Sequence, residues 1–106
     1  MKSKFFEMVI SDNEITVKVL ECIEEYYEEG KAQNICVFGA GYYTKAESLV
    51  LSARIGDRII ETVEVDLQTL RMVQCHGKGN LNTPYHDRIV ELVNSNAQLI
   101  KARITA

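Results

Sequence analysis

The densest cluster of chemically versatile side chains runs from Gln74 to Asn80, in the order Gln-Cys-His-Gly-Lys-Gly-Asn. It offers a thiol, an imidazole, an ammonium group and two amides. Backbone amides beside the two glycines, the positive charge of Lys78 and a following helix N-terminus together favour an anion such as a phosphate or a carboxylate. We therefore predict a ligand-binding site at Gln74, His76, Lys78 and Asn80.

An enzymatic alternative uses a more distant thiol. Cys36 would be the nucleophile and His76 the general base, with Gln74 or Asn80 orienting the substrate of a cysteine-dependent or nucleic-acid-processing hydrolase. Adjacent Cys75 and His76 cannot form this pair, because neighbouring side chains of a strand point to opposite faces. The competing interpretation of Cys36 is a buried, inert thiol.

Two further kinds of site are not favoured. The soft metal ligands Cys36, Cys75, His76 and His86 lack the short Cys-x-x-Cys or His-x-x-x-His spacings of recognisable metal sites, so we expect no metal and no cofactor. The run 38–41 resembles a dinucleotide loop. However, Thr44 occupies its third glycine position, and about six residues before the next strand are too few for a crossover helix.

Size and composition bound the protein class. We expect 106 residues, with 46% apolar and 25% charged residues, to form one globular domain. The odd number of cysteines, three, argues against a disulfide framework. The N-terminal sequence does not read as a signal peptide, and no apolar run is long enough to span a membrane. We therefore expect a cytoplasmic protein without a membrane partner.

The charge distribution limits the partners. Residues 1–35 carry four lysines and eight acidic residues, a net charge of −4, and the rest of the chain carries a net charge of +1. This is not the basic footprint of a strong phosphate-backbone binder. A protein partner and a weaker nucleic-acid contact both remain open. Pairing between two copies through an exposed edge strand at 5–10 is a third alternative.

The elements that must position these residues begin with an N-terminal hairpin. Residues 5–10 and 15–20 are rich in β-branched and aromatic residues and flank a polar turn at 11–14. A short acidic helix is predicted at 21–29, with Gly30 as its left-handed C-terminal residue. Residues 32–38 fit either a second helix or a buried strand.

The second half of the chain predicts a three-stranded meander followed by a helix. Strands at 48–55 and 58–65 flank the two-residue turn Gly56-Asp57, and a third strand at 70–76 follows a turn at 66–69. A helix at 84–104 begins with Thr83 as N-cap and Pro84 in its first position. We therefore predict an α+β fold: an antiparallel sheet of about five strands, packed by a long C-terminal helix and the acidic helix.

The order of several short motifs resembles a known family. The motifs are Glu29–Ala32, Cys36-Val37, Tyr42-Tyr43, Ser48-Leu49, Ile60–Glu64, Val73-Gln74, Gly77, Asn80 and Tyr85–Arg88. Over residues 5 to 100 they resemble the C-terminal domain of PcfJ-like proteins, which are encoded on conjugative plasmids and integrative elements of bacteria. Two positions depart from this pattern, since Ile35 replaces a typical histidine and His76 replaces a typical arginine.

The resemblance implies a single PcfJ-like C-terminal domain over residues 1–106, as a stand-alone or truncated copy of a domain usually attached to more protein. It implies a mobile-element context and no defined reaction. The function predicted from the sequence is therefore a non-enzymatic binding or accessory module.

Overall fold

An antiparallel sheet with its strands in chain order organises the molecule. The structure, a computed structural model, describes residues 2–34 and 47–105, and in these ranges the sheet has five strands in the order β1-β2-β3-β4-β5. The elements are β1 (Val9–Ser11), β2 (Thr16–Val19), α1 (Ile23–Gln33), β3 (Ser48–Ile55), β4 (Arg58–Asp66), β5 (Met72–His76), α2 (His86–Ser95) and α3 (Ala97–Thr105). This confirms the predicted α+β class.

The N-terminal hairpin is shorter than predicted. Residues 2–5 form a 3-10 turn, and Glu7 has a positive φ of 66°, so an extended strand begins only at Val9. The backbone N–H of Glu7 is held by the carboxylate of Glu21 at 2.7 Å. The polar turn is as predicted, because Asp12 accepts hydrogen bonds from the N–H groups of residues 14 and 15. The edge strand β1 therefore has three residues in place of the predicted 5–10.

Helix α1 extends beyond its predicted end. Gly30 lies inside the helix, and Asn34 adopts the left-handed conformation, with φ 55° and ψ 45°. Its N–H bonds to the carbonyl groups of residues 30 and 31. The extra turn places Gln33 beside Tyr26 and Glu29 on the buried side of the helix. The remaining residues of the ambiguous segment 32–38, including Cys36, lie outside the described residues, as does the loop 38–41.

The meander forms around the predicted Gly56-Asp57 turn, with irregular pairing at Ala53/Arg54 and at Glu64/Val65. Ile55 pairs with Arg58 across the Gly56-Asp57 turn, and the positive φ of 61° at Gly56 but not at Asp57 is the pattern of a type II′ turn. Strand β5 starts at Met72, two residues after its predicted start, because Leu70 has a positive φ of 60°. The Leu70 N–H donates a hydrogen bond to the Asp66 carbonyl at 2.8 Å and completes the turn between β4 and β5.

The C-terminal helix is divided into α2 and α3 at Asn96. The side-chain amide of Asn96 donates to the Leu92 carbonyl at 2.8 Å, and its backbone N–H bonds to Val93. The Asn96 side chain thus occupies the Leu92 carbonyl, to which the backbone N–H of Asn96 would bond if the helix continued. Helix α2 also begins later than predicted, at His86, after a turn in which the Thr83 hydroxyl accepts the N–H of Tyr85 at 3.2 Å. None of the helices in the described ranges is long and apolar enough to cross a membrane.

The two faces of the sheet differ in chemistry. On the apolar face, Leu49, Leu51, Val63 and Val65 are at most 1% exposed and belong to the main core, together with buried residues of α2 and α3. On the polar face, the paired strands present Ser52 opposite Thr62 and Glu64 opposite Gln74, and α1 packs against this side. Strand β3 lies at the centre and is buried on both faces.

Truncation of Leu51 tests this core. Leu51 is 0% exposed in the central strand, whereas Leu99 is 44% exposed on α3. We expect Leu51→Ala to lower the free energy of unfolding by about 2–5 kcal/mol, because it removes buried methyl groups and leaves a cavity. The matched Leu99→Ala change should cost no more than about 0.5 kcal/mol. Urea denaturation measures both, and equal losses would contradict the described core.

Candidate functional site

The structure divides the four predicted ligand-binding residues between two places. Gln74 and His76 lie on β5 and face the polar side of the sheet, where the Gln74 amide donates to Glu64 at 2.9 Å. The His76 Nδ1 atom lies 3.4 Å from the Asn82 side-chain oxygen. Lys78 and Asn80 are exposed and lie in the following 3-10 turn. The enzymatic pairing of Cys36 with His76 stays a prediction, because Cys36 lies outside the described residues.

A second cluster, absent from the predicted site, surrounds Glu61. Its side chain is fully buried on the apolar face, although it carries a carboxylate. The Cys75 thiol donates to Glu61 Oε1 at 3.1 Å, and His86 Nδ1 lies 2.8 Å from the same oxygen. The Thr83 N–H and hydroxyl donate to Oε2 at 2.8 and 2.6 Å. We call Glu61, Cys75, Thr83 and His86 the Glu61 cluster.

Each member is placed by a different local feature. Glu61 and Cys75 lie on the neighbouring strands β4 and β5, and Cys75 pairs with Val63, so its side chain points into the apolar face. This confirms that Cys75 and His76 point to opposite faces. Thr83 and His86 lie at the start of α2, which crosses the end of β5. The sequence feature that could have revealed this cluster is Glu61 itself, an acidic residue on the side of β4 that otherwise carries Val63 and Val65.

Electrostatics make Cys75 a hydrogen-bond donor rather than a nucleophile. Burial raises the pKa of the Cys75 thiol, and its hydrogen bond to Glu61 and the charge of that carboxylate raise it further. Burial also acts to raise the pKa of Glu61, but the hydrogen bonds from Thr83, Cys75 and His86 outweigh it and the pKa is lowered. At neutral pH the cluster therefore holds an ionised carboxylate and a protonated thiol.

The polar face contains a separate network beneath α1. The carboxylate of Glu29 is 0% exposed, accepts a hydrogen bond from the Thr62 hydroxyl and lies 3.7 Å from the Arg54 guanidinium. Burial raises the pKa of Glu29, although the Thr62 and Ser52 hydroxyls and the charge of Arg54 oppose the shift. The same face holds Glu64, whose carboxylate accepts the Ser48 hydroxyl at 2.7 Å.

A surface cleft of about 290 Å³ lies between α1, the start of β4 and the turn before α2. Its polar and aromatic lining comprises Gln33, Arg58, Lys78, Thr83 and Tyr85. We call it the basic cleft, because Arg58 and Lys78 are exposed cations with no ion pair to any residue in the described ranges. Gln33 is 1% exposed, and its Nε2 atom has no hydrogen-bond partner within those ranges.

Gly77 joins the cluster to the cleft through a close contact. A Cβ atom at this position would lie 2.5 Å from the Thr83 methyl group and 3.0 Å from the Ile60 carbonyl oxygen. The Gly77 N–H bonds to the Leu81 carbonyl at 2.7 Å, which closes the turn. Glycine is therefore required because a side chain would not fit. The backbone conformation does not require it, since any residue can adopt its φ of −89°.

A pair of alanine variants tests this contact. Gly77→Ala should lower the free energy of unfolding by about 1–3 kcal/mol through overpacking, and should shift the amide NMR resonances of Thr83 and His86. Gly79 has φ 66° and open space around it, so Gly79→Ala should cost about 1–2 kcal/mol through backbone strain alone and leave those resonances in place. Unchanged Thr83 resonances in Gly77→Ala would contradict the described packing.

The raised pKa of Glu29 predicts a pH dependence. The folded chain binds this proton more tightly than the unfolded chain, so Glu29 contributes stability below its ordinary pKa of 4.5. That contribution is lost as the pH rises through the raised pKa of the folded state. The unfolding free energy of the parent minus that of Glu29→Gln should therefore fall with rising pH in this window.

Urea unfolding between about pH 4 and pH 8 measures this difference. Glu28→Gln is the matched control, because Glu28 is exposed on the same helix. Its stability curve should run parallel to that of the parent. A parallel curve for Glu29→Gln as well would contradict the raised pKa.

Comparison with known proteins agrees with the resemblance seen in the sequence. A family model described as PcfJ-like protein matches residues 1–90, which include all five strands, the Glu61 cluster and the basic cleft. Searches of curated proteins and of solved structures found no match. The match covers more than half of the chain, and the chain therefore belongs to the PcfJ-like protein family.

Proposed function

We propose that this chain is a non-enzymatic binding module that takes one anionic group of its ligand into the basic cleft. The observation that carries the proposal is the pair of cations, Arg58 and Lys78, which line one cleft and form no ion pair with the described residues. Elsewhere in those ranges Lys18, Arg54 and Arg88 face carboxylates, at 3.9 Å, at 3.7 Å and at 2.8 and 3.2 Å. Arg71 and Lys101 also form no ion pair with the described residues, but neither lines the cleft, so the convergence of two cations in one cleft is the distinguishing feature.

The surroundings of the two cations favour an anion. The turn before α2 supplies Tyr85 to the cleft wall, and the positive end of the α2 dipole favours negative charge near this turn. The buried amide of Gln33 adds a side chain whose nitrogen lacks a partner in the described ranges.

Size and charge favour one anionic group over an extended polyanion. A volume of about 290 Å³ lies near the lower end of the range for small-molecule sites, about 300–1,000 Å³. The chain has a net charge of −3, which opposes binding along a nucleic-acid backbone. A terminal phosphate, or an acidic side chain of a protein partner, satisfies both limits.

The biological setting belongs to the same proposal. Membership of the PcfJ-like family supports an accessory role in a conjugative or other mobile element of bacteria, exercised in the cytoplasm. In this role the chain recognises an anionic feature of another component. Gln74, His76 and Asn80 do not line the cleft, and we propose them only as additional contacts of a ligand larger than the anionic group.

Titration of the labelled full chain with inorganic phosphate, monitored by NMR, tests the cleft. We expect saturable shifts at Lys78, Arg58 and Tyr85, and a loss of affinity of at least about tenfold in Lys78→Ala or Arg58→Ala, which corresponds to about 1.4 kcal/mol. Lys101→Ala is the matched control, because Lys101 is exposed on α3 away from the cleft lining.

Parallel titrations with a short single-stranded oligonucleotide and an acidic peptide identify the ligand class. An affinity that rises with oligonucleotide length would replace the single anionic group by a strand-binding surface. Shifts that do not saturate, or that survive both cleft variants, would remove the proposal.

A further inference from the structure

The Glu61 cluster brings three metal-ligating atoms together from three separate elements. Glu61 Oε1 of β4, Cys75 Sγ of β5 and His86 Nδ1 of α2 all lie within 4.8 Å of one another. In sequence these residues are 14 and 11 positions apart, from 61 to 75 and from 75 to 86, which matches no short ligand spacing. The fold creates the arrangement, so spacing alone gives no sign of it.

We propose that Glu61, Cys75 and His86 form a binding site for a divalent transition metal ion, with Zn²⁺ as the ion that suits the donor set best. One thiolate, one imidazole and one carboxylate combine the ligand types that Zn²⁺ accepts, whereas Mg²⁺ and Ca²⁺ prefer oxygen ligands alone. None of the three ligands lines the basic cleft, although Thr83, which holds the second Glu61 oxygen, does. The proposal does not depend on an anion in the cleft.

Charge balance supports a metal at this depth. Binding forms a metal–sulfur bond and releases the Cys75 thiol proton to solvent, while Glu61 is already ionised. The His86 proton that faces Glu61 passes through solvent from Nδ1 to Nε2, which frees the Nδ1 lone pair for the metal and releases no further proton. One dication with one thiolate and one carboxylate has no net charge. A neutral assembly leaves no net charge at this buried position, where Glu61 is 0% exposed.

The geometry requires small adjustments. A tetrahedral Zn²⁺ ion with bond lengths of about 2.0–2.3 Å separates its donor atoms by about 3.3–3.8 Å. The present separations of 2.8 Å from His86 to Glu61 and 3.1 Å from Cys75 to Glu61 need to open by a few tenths of an ångström. The Cys75 sulfur and His86 Nδ1, which lie within 4.8 Å of each other, must come into the same range. Thr83 holds the second carboxylate oxygen with two hydrogen bonds, which leaves Oε1 to face the metal.

One coordination position remains for water. The side chain of His86 is 22% exposed, whereas Glu61 is fully buried, so solvent reaches the cluster from the His86 side. Three protein ligands and one water is the arrangement of zinc sites that exchange ligands, in contrast to closed structural sites with four protein ligands.

Titration of the chelator-treated full chain with Co²⁺ tests the site, because Co²⁺ reports thiolate coordination by a charge-transfer absorption band. A Cys22→Ser, Cys36→Ser background leaves Cys75 as the sole thiol. We expect one equivalent of Co²⁺ to produce the band, one equivalent of Zn²⁺ to remove it, and about one proton to be released per metal ion.

Two matched pairs of variants decide the ligands. In the chain with its native cysteines, Cys75→Ser should abolish the band while Cys22→Ser retains it. His86→Asn should weaken Zn²⁺ binding by more than the roughly 10–100-fold typical of losing an outer hydrogen-bond partner, while His76→Asn leaves it unchanged. Circular dichroism confirms folding of each variant. A band that persists in Cys75→Ser, an equal effect of both histidine variants, or no band in the single-thiol background would overturn the proposal.

Discussion

A carboxylate buried in an apolar core needs hydrogen-bond donors, and at Glu61 this requirement connects β4 to β5 and to the start of α2. Its four hydrogen bonds come from β5 and from the start of α2. An unpaired carboxylate in this position would cost several kcal/mol, roughly the scale of a whole domain's stability. The bonds therefore tie α2 to the end of the sheet at one point, and the helix carries Ile89 and Val93 onto the apolar face from there.

On the opposite face of the sheet, other groups stabilise the buried carboxylates. Glu29 and Glu64 are buried there among serine and threonine hydroxyls, with Arg54 as the cation nearest to Glu29. The pKa of Glu29 is raised whereas that of Glu61 is lowered. Burial pushes both upwards, so the difference lies in the donors: Glu61 receives enough hydrogen bonds to outweigh burial, and Glu29 does not. Hydrogen bonds to buried carboxylates therefore stabilise both faces of the sheet, in addition to the apolar contacts of the core.

The elements predictable from the sequence are those set by local chemistry. The Gly56-Asp57 turn and its two strands follow from turn type and alternation over adjacent residues. The predicted end of α1 at Gly30 was wrong. Gly30 and Asn34 both suit a helix terminus, and in the structure Asn34 takes the left-handed conformation and bonds through its N–H to the carbonyl groups of residues 30 and 31. The division at Asn96 depends on one side-chain hydrogen bond, which competes with a strong helical pattern.

The candidate sites were predictable only in part. Lys78 and the turn before α2 line one cleft, and Arg58 joins them from the start of β4, 20 residues earlier in the chain. The anion site that the sequence predicts stays a prediction. The Glu61 cluster depends on strand register, because a shift of one residue between β4 and β5 would turn Cys75 to the other face. Register and the crossing of α2 are tertiary properties, and single residues do not reveal them.

Thr83 contributes both to the Glu61 cluster and to the basic cleft, so an anionic cluster and a cationic cleft lie on either side of one residue. Its N–H and hydroxyl hold Glu61 Oε2, and it also lines the basic cleft. Close contact with Gly77 leaves its methyl group little room to move. A shift of Thr83 would therefore alter the cleft wall and the orientation of the carboxylate together, and any coupling between the two sites must be reciprocal. The ligands proposed for the two sites differ in charge, because the cleft presents two cations and the cluster presents a carboxylate with a thiol and an imidazole.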